Sequence, residues 1–134
     1  MSGTEARGGH VVLDYMGYSP PVEDDGDWML QLLRGCVQRS GAREVHSHAA
    51  QFDGTESPPG FAAVVLIDES HVSAHCYSES GLLAIDIFTC GDSDPVALAD
   101  EIHHEIADAV PGIELTGRKT VSYTHLTLPT IYSV

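Results

Sequence analysis

The sequence predicts an α+β domain, a two-layer sandwich with two helices on one face of a mainly antiparallel sheet. Three observations carry that expectation. Residues 72–77 and 82–89 alternate apolar and polar and are joined by Ser78-Glu79-Ser80-Gly81, the pattern of a β-hairpin with a glycine-containing turn. Further alternating or β-branched segments at 9–16, 42–52, 61–68 and 113–120 supply more strands. Two stretches, 28–40 and 95–110, instead carry apolar residues at helical period.

Taken in order, the first strand sets Val11, Leu13 and Tyr15 against Val12 and Asp14. Residues 17–27 then hold Pro20, Pro21 and the carboxylates Glu23, Asp24, Asp25 and Asp27, which is loop and helix-entry chemistry. In the first helix Trp28, Leu32, Cys36 and Arg39 lie along one face with Met29 and Leu33 beside them, and Gly41 ends it. A second strand, a Pro/Gly loop over 53–60 and an apolar third strand deliver the chain to Glu69-Ser70. After the hairpin, Asp92-Ser93-Asp94-Pro95 starts the second helix, whose buried face is expected to hold Val96, Ala99, Ile102, Ile106 and Val110. Pro111-Gly112 closes it.

The hairpin also predicts a juxtaposition. If Ser78 faces Leu82 across a Glu79-Ser80-Gly81 loop, counting back sets Ser70 opposite Cys90 on one side of the sheet, with β-carbons about 4.5–5.5 Å apart. A hydroxyl and a thiol then meet at the hairpin's open end.

At 134 residues the chain forms one domain, taken as residues 1–120. Six basic against twenty acidic residues, a formal charge of −14, oppose nucleic acid and anionic lipid as partners and suit a cationic small molecule. No run approaches the roughly 20 apolar residues of a membrane span, and no signal segment opens the chain, so a cytoplasmic location is expected. Cys36, Cys76 and Cys90 make no disulfide framework and fit free thiols in a reducing compartment.

Glu69-Ser70-His71, His75 and Phe88-Thr89-Cys90-Gly91 together resemble the short bacterial and archaeal S-adenosylmethionine decarboxylases, which cut themselves to make a pyruvoyl cofactor. The resemblance runs from about residue 9 to 119 and is dense between 68 and 91. It implies that Ser70 attacks the Glu69 carbonyl to form an ester, and that elimination and hydrolysis then convert Ser70 to the pyruvoyl group. The chain would be cleaved at 69/70, with His75 as the processing proton acceptor. The pyruvoyl carbonyl would form a Schiff base with the substrate amine, and Cys90 would donate the proton to the product. It also implies a homodimer that stacks two sheets into an α/β/β/α sandwich with active sites at the interface, and a role in polyamine (spermidine) biosynthesis.

Residue chemistry agrees with a backbone-derived carbonyl. Decarboxylating an amino acid needs an electron sink that side chains do not offer. The chain has no phosphate-binding Gly-rich loop, and its one lysine, Lys119, stands near the C-terminus, so pyridoxal phosphate does not fit. One point of geometry opposes a simple arrangement: Ser70 and His75 are five residues apart, so a regular strand sends them to opposite faces, and a bulge or bent strand start is expected to reunite them.

Tyr77, Glu79 and Glu56 are candidate substrate-binding residues. The chain departs from the family with Tyr77-Ser78 where Trp-Pro is usual and Ala62 where a serine is usual; the aromatic residue that meets adenine there has no certain equivalent, Glu56 or Phe52 falling near it. S-adenosylmethionine is the expected substrate, with L-ornithine or L-arginine as the alternative for the same fold and cofactor. Two further alternatives are a catalytically dead homologue and a metal-binding module built from His46 and His48, or from His71 and His75 with Cys76 or Asp86. Residues 121–134 lie outside the domain: VSYTHLTLPT resembles a translated sequencing adapter, so the natural C-terminus is expected to be missing, and Tyr123 and His125 to carry no function.

Overall fold

The computed structural model describes residues 8–90 and 93–123. Its elements are β1 (Gly8–Met16), α1 (Asp25–Arg39), β2 (Glu44–Phe52), β3 (Gly60–Ile67), β4 (Ser70–Tyr77), β5 (Leu82–Cys90), α2 (Pro95–Ala109) and β6 (Glu114–Tyr123). The six strands form one sheet in the order β2-β3-β4-β5-β1-β6, antiparallel at every pairing. Both helices pack on the same face, as the alternation predicts.

That face is built from cross-strand rows. Val65, Val72, Ile87 and Val11 make one row, and Ala63, Ala74, Ile85 and Leu13 the next. Phe61, Cys76, Leu83 and Tyr15 make a third, and Met29, Leu33, Cys36, Ile102 and Ile106 from the helices close over all three. β-Branched side chains suit the pleat because their fixed rotamers pack without much further loss of freedom. Ile87 is 0% exposed at the centre of the first row. Ile87→Ala is therefore expected to destabilise the fold by about 2–5 kcal/mol, read as a lower urea midpoint at unchanged slope.

Two helix readings need correction. α1 starts at Asp25, three residues early, and buries Met29, Leu30, Leu33, Cys36 and Val37, while Trp28 and Leu32 are only partly buried. The start is fixed by a buried polar network that the acidic loop reading overlooked. Tyr18 donates to Asp25 Oδ2 at 2.8 Å, and Gln51 Nε2 donates to Asp25 Oδ1 at 2.9 Å. Gln51 also accepts from the Gly26 N–H at 3.0 Å, so β2 holds the first turn in place of a side-chain cap. In α2, Asp94 caps as expected, accepting from the Val96 and Ala97 N–H groups, with Pro95 in the first turn. Val96, however, is exposed, and Leu98 takes its place in the core, because the face turns by one position at the capped start.

β6 extends to Tyr123, so residues 121–123 continue the pairing with Gly8, Gly9 and His10 and the strand passes the boundary expected at 120. The rest of the 121–134 segment lies outside the described residues.

Among the described residues the sheet's second face carries no helix. Met16, Phe52, Leu66 and Tyr77 stand exposed there, all at register positions that alternate with the buried rows. No helix among the described residues is long and apolar enough to cross a membrane.

Candidate active site

Ser70 is the first residue of β4, immediately after the two-residue Asp68-Glu69 turn that joins it to Ile67. Its hydroxyl oxygen accepts the Cys90 N–H at 3.1 Å. The two residues meet at the open end of the hairpin, but not as counted. Tyr77 pairs with Leu82, so the loop has four residues, and the next rung beyond His71–Phe88 sets Ser70 beside Thr89. Ser78 leaves the ladder because both its N–H and its hydroxyl donate to the Pro59 carbonyl at 3.0 Å. A slip of one residue exchanges the faces. Ser70 accordingly points to the helix side, into a cavity of about 520 Å3 lined by Ile67, Thr89, Asp94, Ala97, Leu98 and Glu101 among others, whereas Cys90 belongs to the uncovered face.

The three thiols differ in kind. Burial pushes Cys36 up to about 11 and Cys76 up to about 12, and both side chains are sealed in the core. Cys90 is only half-buried, and its pKa is raised by burial first and by the nearby Glu69 carboxylate second. A raised pKa keeps it a thiol near neutral pH, the form that gives up a proton.

His75 lies on the uncovered face, exposed, between Ala62 on β3 and Ala84 on β5. The pairing of β4 with β3 runs without a shift from Tyr77 to Ser70, so the expected bulge is not present. Five residues of strand separate the two by about 17 Å. Within one chain Ser70 and Cys90 are brought together and His75 is not.

His75 instead belongs to a second hollow of about 270 Å3, with Phe52, Ser57, Pro58, Phe61, Ala62, Cys76 and Tyr77 around it. Of the candidate substrate residues Tyr77 lies there, while Glu56 and Glu79 are exposed and outside it. Among the described residues no three His, Cys, Asp or Glu side chains gather as metal ligands would. Cys76 faces the helices, away from His71 and His75.

One cluster was not foreseen. Asp86, on the uncovered face of β5, accepts from Nε2 of His71 at 2.9 Å and is also bonded to Nε2 of His10. Burial alone would push the Asp86 carboxyl up, but the two imidazole hydrogen bonds outweigh it and hold the carboxyl below its usual range. The His71 ring stacks on Phe88 at 5.7 Å between centroids, and the His10 ring meets Phe88 edge-on at 6.0 Å. The signal was a carboxylate at the middle of a central strand, with two histidines at matching parity on its neighbours.

The geometry is that of a two-layer antiparallel domain with a serine at a turn-to-strand junction, hydrogen-bonded to the backbone of a half-buried cysteine. A family model described as S-adenosylmethionine decarboxylase matches residues 9–114. The chain is 35% identical over 114 residues to an S-adenosylmethionine decarboxylase proenzyme of Bacillus velezensis, covering 83% of this chain and 86% of that one. It is 31% identical over 112 residues to the proenzyme of the same name from Thermoplasma volcanium, covering 84% and 81%. Among solved structures, the adenosylmethionine decarboxylase of Aquifex aeolicus superposes with a TM-score of 0.65 at 26% identity, over 92% of this chain and 94% of that one. The chain belongs to the S-adenosylmethionine decarboxylase family, a family of carboxy-lyases.

Proposed function

We propose that the protein is a self-cleaving, pyruvoyl-dependent decarboxylase of S-adenosylmethionine, acting as a homodimer in the cytoplasm and supplying polyamine synthesis. The observation that carries the reading is the Ser70 hydroxyl held at 3.1 Å by the Cys90 N–H, one residue beyond a tight turn whose last carbonyl is that of Glu69. Cleavage is written with its atoms balanced. The Ser70 oxygen bonds to the Glu69 carbonyl carbon as the Glu69–Ser70 C–N bond breaks, and the hydroxyl proton passes to nitrogen. Loss of the Ser70 α-proton to a base then breaks the Cβ–O bond and leaves Glu69 as a carboxylate. Water adds at the former α-carbon and ammonia departs, giving a keto group at the start of β4.

The residues present fit that group: the precursor stands at the strand's first position, and the cavity beside it has room for the incoming water. When formed, the keto group supplies the sink for the electron pair that remains as CO2 leaves. Cys90, kept protonated by burial and by Glu69, returns a proton to the substrate carbon.

His75 is too far from Ser70 to serve its own chain. A two-fold dimer removes the difficulty, because an isologous interface sets residue i of one copy on residue j of the other, and reciprocally. Stacking two uncovered faces in opposite directions puts the His75 end of each sheet over the Ser70 end of its partner, and covers Leu66, Phe52 and Tyr77. The hollow beside His75 supports the substrate choice. The rings of Phe52 and Tyr77, exposed on this face, suit a planar purine better than the bare aliphatic cations of ornithine or arginine. The three free thiols are in keeping with a reducing compartment.

The test is CO2 release from S-adenosylmethionine, ornithine and arginine side by side, with intact mass measured on the same preparation. Release from S-adenosylmethionine by a chain in two fragments is expected; preference for ornithine or arginine would overturn the substrate, and an uncut chain the cofactor. Cys90→Ala is expected to leave cleavage intact and lower turnover by about 100-fold or more, the scale of removing a positioned proton donor. Undiminished turnover would take Cys90 out of the mechanism.

A further inference from the structure

We propose that Asp86 is a positioning residue for the chain end that cleavage creates, holding it through His71. The inference rests on the self-cleavage reading above. In the uncut chain the start of β4 is tied down twice, by the Asp68-Glu69 turn back to Ile67 and by the hydrogen bond from the Cys90 N–H to the Ser70 oxygen. Cleavage removes both ties. The turn is severed, and the oxygen leaves with Glu69 as part of its carboxylate. A free strand end frays unless something else secures it.

His71 is then the first residue with a side chain behind the keto group. Its main chain pairs with Leu66 and Phe88, and its ring lies on Phe88 at an interplanar angle of 26°. Its Nε2 hydrogen bonds to Asp86 Oδ2 at 2.9 Å. In the ladder Asp86 stands opposite Ser73, two residues further from the cut than Phe88. The bond therefore draws the imidazole along the strand, away from the new terminus, in the direction that opposes fraying. Asp86 is itself held from the other side by His10, and β5 lies between β4 and β1 in the sheet, so the anchor is a fixed interior strand rather than an edge. Two imidazoles that both present Nε2 to one carboxylate are orienting that carboxylate from opposite flanks. A bond between an imidazole N–H and a carboxylate is also among the stronger hydrogen bonds.

Hydrogen exchange across residues 71–76, read by mass spectrometry with and without Asp86→Asn in the cut parent and in Ser70→Ala, tests this. In the cut chain, Asp86→Asn is expected to speed exchange of this segment about fivefold over the cut parent. In an uncut Ser70→Ala background, where turn and peptide bond persist, the same substitution is expected to change it less than about twofold. Equal acceleration in both backgrounds would reduce Asp86 to general support of the sheet and overturn the proposal, as would no acceleration in the cut chain. Intact mass separates the remaining outcomes. An Asp86→Asn chain that stays whole beside a cut parent makes Asp86 a residue of the cleavage step rather than of its product, and an uncut parent removes self-cleavage and the clamp together. Asp86→Glu, which retains the charge on a longer arm, is expected to recover part of the protection.

Discussion

Ser70→Ala is expected to give a single uncut polypeptide that releases no CO2, where the parent runs as fragments 1–69 and 70 onward. The substitution removes one oxygen. That oxygen is half-buried, accepts one backbone hydrogen bond, and faces a cavity rather than a packed core, so its loss leaves the fold near parent stability. An unsatisfied Cys90 N–H beside a water-accessible hollow is expected to destabilise by about 1 kcal/mol. The expected effect on chemistry is total by comparison, since no other side chain at this junction supplies an oxygen attached to the residue whose nitrogen must be released. Thr89, also at the cavity, is across the ladder on β5 and its hydroxyl is engaged with the Ser93 carbonyl at 3.5 Å. Intact mass and CO2 release measured on one sample decide the matter. A cut Ser70→Ala chain, or CO2 from a whole one, would end the pyruvoyl reading.

The elements were legible in the sequence because burial alternates along them: Val11, Leu13 and Tyr15 on β1 and Leu83, Ile85 and Ile87 on β5 announce one face of one sheet. Register was less legible, and there the reason is local. Whether a hairpin closes with three or four loop residues depended on Ser78 donating twice to Pro59, 19 residues away, and apolar period contains nothing about that contact. The one-residue error is small in sequence and large in space, since it puts Ser70 and Cys90 on opposite faces of the sheet instead of one. The start of α1 was misjudged for a similar reason: Asp25 is buried only because Tyr18 and Gln51 both reach it, so a carboxylate that composition assigns to solvent is part of the interior. The Asp86 cluster joins β1, β4 and β5 across 76 residues, and parity alone could place its members on one face without saying that they touch. Family resemblance named Ser70, His75 and Cys90, but geometry alone says which of them one chain can bring together.

That separation gives a second expected result, from chains that fail individually. Alone, Ser70→Ala lacks the reacting oxygen and His75→Ala lacks the base, so neither homodimer is expected to cut itself. Co-expressed, they form mixed dimers with two unlike sites. If His75 serves the partner across stacked sheets, one site holds Ser70 of the His75→Ala chain under His75 of the Ser70→Ala chain and is complete, while the other lacks both groups. Only the His75→Ala chain is then expected to appear as two fragments, and only up to its share of mixed dimers, about half of that chain at equal expression if pairing is random. If His75 served its own Ser70, every site in the mixture would lack one group and both chains would stay whole. The distance favours the first outcome: about 17 Å of unbulged strand lies between the two residues in one chain, beyond the reach of an imidazole. Mass-tagging the two variants differently identifies which one is cut. If both chains stayed whole, His75 would be returned to its own chain and the reason for placing it across the dimer removed; a cut Ser70→Ala chain would end the pyruvoyl reading itself.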